Sequence, residues 1–354
     1  MKVMDRQALD RHVQSALPIQ QHSFVGQDLT GADLSATLFE ACDFSGAKLD
    51  AADLGDSQFI RCRFERSSLT RCTTSNTAFS GCVFLRSSFR HASVANTTWY
   101  DCDMTDVAFS EAQFDFATFT RGQLNNLLFR RCKLDKLIVA NAKLGKLDFE
   151  ASTLERCVFH ECDLRQAAFG SCSFKLVIFV KADLSGQSFK GQRFEYTQFT
   201  EAVLEGCDFS EAHLLQGNFC KAVLKGARFQ RTEAPQALFM QAQADGVDFS
   251  GAILTQALFL KAQLAQANFD ACQLYQANFA EARLDQAKLS HCELSYADFS
   301  NASLQGADLG GATLFRAKLH GANTTHARIT DQLRALGDEP EQLASDRWVP
   351  QTTS

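Results

Sequence analysis

No apolar run in this chain approaches the roughly eighteen residues that a membrane-crossing helix needs. Its first residues, Met1-Lys2-Val3-Met4-Asp5-Arg6, lack the apolar stretch of a secretory signal. Both absences point to a cytoplasmic protein without a membrane role. A large basic excess is missing as well. With 35 lysines and arginines against 41 aspartates and glutamates the net charge is −6, so direct nucleic-acid binding is not expected. The 13 cysteines include no C-x-x-C pair, which removes structural-zinc spacing. No H-E-x-x-H, G-x-S-x-G, P-loop or G-x-G-x-x-G occurs, and the 8 histidines are scattered. The acids fall at outward slots where nothing would tune them for proton transfer. The expectation is a non-enzyme with no catalytic residue, cofactor or metal ligand.

What the chain does have is a period of five, unbroken from Phe24 to Ile329. Residues whose numbers end in 4 or 9 form one series of 62, of which 29 are Phe and 24 are Leu. Two places earlier, at numbers ending in 2 or 7, sit mostly Ala and Cys. Twelve cysteines (Cys42, Cys62, Cys72, Cys82, Cys102, Cys132, Cys157, Cys162, Cys172, Cys207, Cys272, Cys292) take that slot, and only Cys220 lies elsewhere. They read as small hydrophobes that stand in for Ala. Leu127, Leu137 and Leu147 put large residues in small slots, and Val139 answers with a smaller central residue, as volume compensation requires. Ala234, followed by Pro235, and Ala244 underfill one coil. Because proline removes a ladder donor, that coil is the place to look for a kink or a partner contact, with ordinary local repacking equally open.

Five matches neither the helical period nor plain alternation. The small and large slots are two apart, so they share one face of a short extended segment. A chain that turns after every five residues points each large side chain inward, and four such sides close a coil of twenty. Sorted modulo twenty, the central residues support this. One column runs Phe159, Phe179, Phe199, Phe219, Phe239, Phe259, Phe279, Phe299, and the column two sides away runs Phe129, Phe149, Phe169, Phe189, Phe209, Phe229, Phe249, Phe269. Two opposite aromatic walls predict a filled, dry interior. The repeat spans residues 22–330. Residues 1–21 read as a capping segment, with Leu9, Val13, Ala16 and Leu17 on one helical stripe stopped by Pro18. Residues 331–354 form a cap and tail, with Asp331 capping a helix over Gln332–Leu336 that Gly337 ends.

Units such as Ala32-Asp33-Leu34-Ser35-Ala36 and Ala307-Asp308-Leu309-Gly310-Gly311 resemble the pentapeptide-repeat family over residues 22 to 330. The resemblance implies an all-β fold, a right-handed quadrilateral β-helix of about fifteen coils and roughly 70 Å at ordinary strand spacing. It also implies a choice of roles. Some members imitate DNA and protect type II topoisomerases, including the quinolone-resistance proteins. Others accompany secretion systems, type VI among them, as adaptors or immunity proteins. The mild net charge and the basic middle of this chain favour a protein-binding inhibitor of a bacterial toxin or effector. The topoisomerase protector comes second, and a structural scaffold or secretion adaptor stays open.

Outward positions also recur on one wall every twenty residues. Glu161, Lys181, Glu201, Lys221, Gln241, Lys261 and Glu281 make a column of largely alternating charge, and Gln216, Gln236, Gln256 and Gln276 an amide ladder. Residues 21–60 hold seven acids against Lys48 alone, and residues 61–146 hold thirteen bases against seven acids. Asp33 and Asp53 should stack on one wall and Arg66 and Arg86 on another, like-charge pairs that cost stability unless something compensates them. These four, with Arg63, Arg90 and the tail's Trp348, are the candidate contacts for a protein partner, whether toxin, effector or DNA-acting enzyme. The terminal caps offer a homodimer contact as well.

Overall fold

A coil with a dry inside must find an acceptor for each of the five backbone N–H groups in every repeat. The structure, a computed structural model that describes residues 1–15, 17–341 and 345, shows how. Around Phe249 three of the five bonds run from coil to coil: Phe249 N–H to Asn268 O at 2.7 Å, Gly251 N–H to Asp270 O at 2.9 Å, and Asn268 N–H to Val247 O at 2.9 Å. A fourth, Ala252 N–H to Phe249 O at 3.0 Å, closes a β-turn at the corner. The fifth N–H, on Ser250, is met by the Oδ1 of Asp248 at 2.9 Å. The same side-chain acceptor recurs at Asp43, Asp103, Asp208 and Asn278. The Asp or Asn before each large residue is therefore a turn acceptor as much as a surface charge.

Corner geometry explains the residue before the small slot. Positions ending in 1 or 6 adopt positive φ almost throughout, for example Gln256 at 59°, Ala271 at 57° and Gly246 at 69°. Positive φ at the third residue of a β-turn is the type II pattern. Glycine is at home there, yet 47 non-glycine residues hold positive φ among the described residues. They persist because the coils above and below fix the turn.

The chain forms two compact units, Met1–Asp183 and Leu184–Ser354. In each, the strands and bridges pair in parallel with an offset of twenty, as in Phe39↔Phe59 and Leu134↔Phe114 in the first and Asn278↔Asp298 in the second, save the terminal bridge Lys318↔Leu336. This is the quadrilateral β-helix expected. Unit two has the predicted opposite aromatic walls. Phe219, Phe239, Phe259, Phe279 and Phe299 stack at centroid separations of 4.7–5.0 Å. They meet Phe229, Phe249 and Phe269 edge to face at 5.5–5.9 Å, the favoured aromatic geometry. Unit one begins differently. Phe24, Phe44, Phe64 and Phe84 stack beside Phe39, Phe59 and Phe79 on adjacent sides. At Phe84–Phe89 the first stack hands over to the next side, and Phe89, Phe109, Phe129, Phe149 and Phe169 continue it.

The small slots behave as read, with an addition. The twelve cysteines there are buried and unpaired, and Cys220 is half-buried. Many donate S–H to a corner carbonyl of the coil below, as Cys132 does to Phe109 O at 3.0 Å and Cys292 to Phe269 O at 2.8 Å. Ser57 and Thr232 do the same with their hydroxyls. Leu127, Leu137 and Leu147 are all buried beside Val139, while Leu144 in the central series is only half-buried.

Three expectations need correcting. The Ala234–Ala244 coil keeps its ladder: Ala234 N–H reaches Ile253 O and Ala244 N–H reaches Gln263 O, both at 2.8 Å. Pro235 removes no ladder donor, because the N–H after the large residue is normally left out of the coil-to-coil ladder, as at Ser250, where a side chain accepts it, and proline suits the second position of such a turn. At the N-terminus helix α1 (Arg6–Gln14) is capped by Asp5 and buries Leu9. Leu17, however, lies beyond the helix and is 53% exposed, and Ala16 lies outside the described residues. At the other end Asp331 caps nothing; only a short 3-10 turn forms over Gln332–Arg334. Its carboxylate accepts from Leu314 N–H at 2.9 Å, and Leu336 N–H reaches Ala317 O at 2.7 Å. That segment extends the last coil instead of forming a helix.

Candidate functional surface

Most outward columns are occupied by one another. The amide ladder forms as read, with Gln216, Gln236 and Gln256 each donating to the next glutamine at 2.6–3.0 Å. In the charge column Lys181 meets Glu161 at 3.5 Å and Lys261 meets Glu281 at 3.3 Å. These exposed pairs are individually weak, but they fill surface that a ligand would otherwise read.

The candidate contacts in unit one separate into spent and unspent groups. Asp33 and Asp53 do stack, as a bridged pair. Asp33 accepts from the N–H and hydroxyl of Ser35, which hold its carboxyl below the usual carboxylate range. Asp53 accepts from Gly55 N–H at 2.9 Å and the Thr73 hydroxyl at 2.8 Å. Arg63 pairs with Glu65. Arg90 approaches Glu111 at 3.8 Å, and Arg86 approaches Asp106 at 3.6 Å. Arg66 occupies the corner one coil away from Arg86, with φ of 55° and 59° respectively, and forms no ion pair among the described residues. The structure thus brings Arg66 and Arg86 onto one wall and relieves their repulsion at one end only. Trp348 lies outside the described residues.

Reading the sequence missed a second surface, on unit two. Tyr275, Tyr296 and Phe315 lie along one corner, each about two-fifths exposed. They form an edge-to-face row with centroids 5.7 and 5.6 Å apart. Arg316 lies over the Tyr296 ring at 5.9 Å and Arg334 over the Phe315 ring at 5.4 Å. Leu333 and Leu336, in the segment that follows, are exposed as well. A signal was available: 29 of the 31 phenylalanines belong to the inward series, and the two strays, Phe116 and Phe315, are both exposed.

Little chemistry is on offer elsewhere. Among the described residues no group of three or more His, Cys, Asp and Glu side chains could hold a metal ion. No helix among them is long and apolar enough to cross a membrane. A shallow pocket of about 220 Å³ lies beside Cys102 and Lys143, where Gly122 stands in a small slot. A Cβ at Gly122 would come within 2.2 Å of Cys102 O. Burial pushes the thiols of Cys132, Cys157 and Cys162 up to about 12 and that of Cys172 to about 11, so they stay protonated and poor as nucleophiles.

Comparison with known proteins agrees with this architecture. Two family models match, one described as a pentapeptide repeat region over residues 52–129 and 252–332. The other, pentapeptide repeats in eight copies, covers residues 28–66 and overlapping stretches between 193 and 259. No curated protein matches. Among solved structures the chain is similar to a pentapeptide repeat protein of the Arabidopsis thaliana thylakoid lumen. That match has 30% identity over 27% of this chain and 67% of the other, with a TM-score of 0.26. It is also similar to QnrB1, a plasmid-mediated fluoroquinolone resistance protein, at 17% identity over 64% of this chain and 97% of the other, TM-score 0.27. A third is HetL, involved in heterocyst differentiation regulation in the cyanobacterium Nostoc sp. strain PCC 7120, at 20% identity over 92% and 94%, TM-score 0.18.

Proposed function

This chain belongs to the pentapeptide-repeat family, and from that premise we propose that it is a non-catalytic, rigid protein-binding module that inhibits a bacterial toxin or effector, as an immunity protein does. The observation that carries this reading is how the fold uses its reactive side chains. Thiols fill the small slots, turn carboxylates accept backbone N–H groups, and most remaining charges lie in ladders. What a partner can meet is a set of straight columns on stiff walls. Such a wall loses little conformational entropy on docking, which suits inhibition by covering another protein's working surface.

The charge pattern supports a protein partner over imitation of duplex DNA. A mimic needs a continuous anionic ridge. Here the acids near the N-terminus are largely turn acceptors, and basic residues dominate from Arg61 to Lys146. The proposed footprint in unit one is Asp33 and Asp53 with Arg63, Arg66, Arg86 and Arg90. Coexpression with the toxins or effectors encoded beside its gene tests the reading, with restored growth and a copurifying complex expected. If the purified chain leaves those toxins active and instead relieves quinolone-stabilised cleavage by DNA gyrase, the topoisomerase-protector reading takes its place.

A further inference from the structure

We infer that the Tyr275–Tyr296–Phe315 corner of unit two is a docking strip for an acidic, partly apolar segment of a partner protein. The inference rests on the protein-binding reading above and names a surface and a partner chemistry for it. Three observations converge. The first is composition. Two tyrosines, a phenylalanine and two arginines side by side are what the buried centres of protein interfaces are enriched in, and 29 of this chain's 31 phenylalanines belong to the inward series instead.

The second is that the charged groups over the strip's rings are guanidiniums and the glutamine ladder beside it ends in an amide N–H. Arg316 forms no ion pair among the described residues and is held over the Tyr296 ring, so its guanidinium is positioned but unneutralised. Arg334 is held over Phe315, with Asp331 at 3.7 Å. The glutamine ladder runs in one direction, Gln216 to Gln236 to Gln256 to Gln276. Its last amide accepts from Gln256 and leaves its own NH2 without a described acceptor, one coil below Tyr296. A chain of amides polarised this way strengthens its terminal donor. Donors and cations without acceptors select a partner rich in carboxylates.

The third is ring geometry, which excludes a nucleic-acid strand. Bases stack on free aromatic faces. Here neighbouring rings meet at 73° and 87°, and guanidiniums sit over the faces of Tyr296 and Phe315. Apolar side chains can lodge between such edges; flat bases cannot.

The test uses the full chain and fluorescence anisotropy with three probes: a short labelled peptide alternating Glu with Leu and Phe, its lysine counterpart, and single-stranded DNA. The acidic peptide should bind at least tenfold more tightly than the other two. Tyr296→Ala and Arg316→Gln should each weaken it severalfold while leaving the thermal midpoint in place, since both side chains are outward. Equal binding of acidic and basic peptides, tighter binding of DNA, or unchanged affinity in both variants overturns the inference. The protein partner found by coexpression then separates the two claims. If the variant carrying both substitutions still holds that partner at full strength, the strip is wrong and the binding function stands. If the unaltered chain holds no protein partner, the function itself is wrong.

Discussion

Alanine at a corner is strained by its own Cβ, and glycine should relieve it. Ala36, Ala51, Ala151 and Ala271 sit at φ values of 49°, 55°, 58° and 57°, and all four are exposed, so their methyl groups contribute little packing. A left-handed conformation costs an L-residue roughly 1–2 kcal/mol. Glycine escapes that cost but gives up about 0.5–1 kcal/mol of extra unfolded-state freedom. The net gain is about 0.5–1 kcal/mol per corner, or roughly 2–4 kcal/mol for the four together. Urea unfolding followed by circular dichroism should show the midpoint rising in each single variant and rising further in the quadruple variant. Ala257→Gly is the control: its slot faces the core and its φ is not positive, so the same change should lower the midpoint. A fall in all four corner variants would mean that the stacked coils carry no strain at these turns, and the account of the corner would fail.

Charge reversal at Arg66 and Arg86 should weaken binding of the protein partner at least tenfold by titration calorimetry and leave the thermal midpoint nearly unchanged; unaltered affinity would discard that footprint. Phe249→Ala should cost roughly 3–5 kcal/mol, because its ring stacks on Phe229 and Phe269 and meets Phe239 and Phe259 edge to face. Phe315→Ala, at an exposed corner, should change stability by no more than about 0.5 kcal/mol in the same denaturation assay. The raised thiols predict alkaline lability. Their contribution is complete below the unfolded value of about 9 and is lost as pH rises through about 12, each thiol weakening the fold by about 1.4 kcal/mol per pH unit in that window. Replacing Cys132, Cys157 and Cys162 by Ala should flatten the fall in urea midpoint between pH 9 and 11, and an unchanged slope would count against it.

The interior was legible in the sequence because its period is the period of the fold. Each Phe or Leu in the series is inward for the same reason as the one twenty places before it. Leu144 departs from the rule near Gly122 and Gly145, where added Cβ atoms would strike Cys102 O and the Asn125 side chain. Counting charges left one role of Asp43 and Asp53 out of sight, because a carboxylate's part as acceptor for the N–H two residues on does not show in a charge balance. Asp331 misled in the opposite way. It has the residue type of a helix cap, but the last coil offers it the N–H of Leu314, and strand-like pairing wins over a short isolated helix. Tyr275, Tyr296 and Phe315 were hidden by abundance: three aromatic residues draw no notice in a chain with 31 phenylalanines.

Within each unit the hydrogen bonds point from one coil to the next, and this decides how the protein bears force. A pull on one end loads the bonds of a single coil, so the array peels, and each coil released adds twenty residues, about 66–72 Å of slack. A push or pull on a flank is shared by every coil it touches. A partner gripping a wall therefore holds something stiff, while a motor or protease engaging a terminus meets only one coil's resistance at a time.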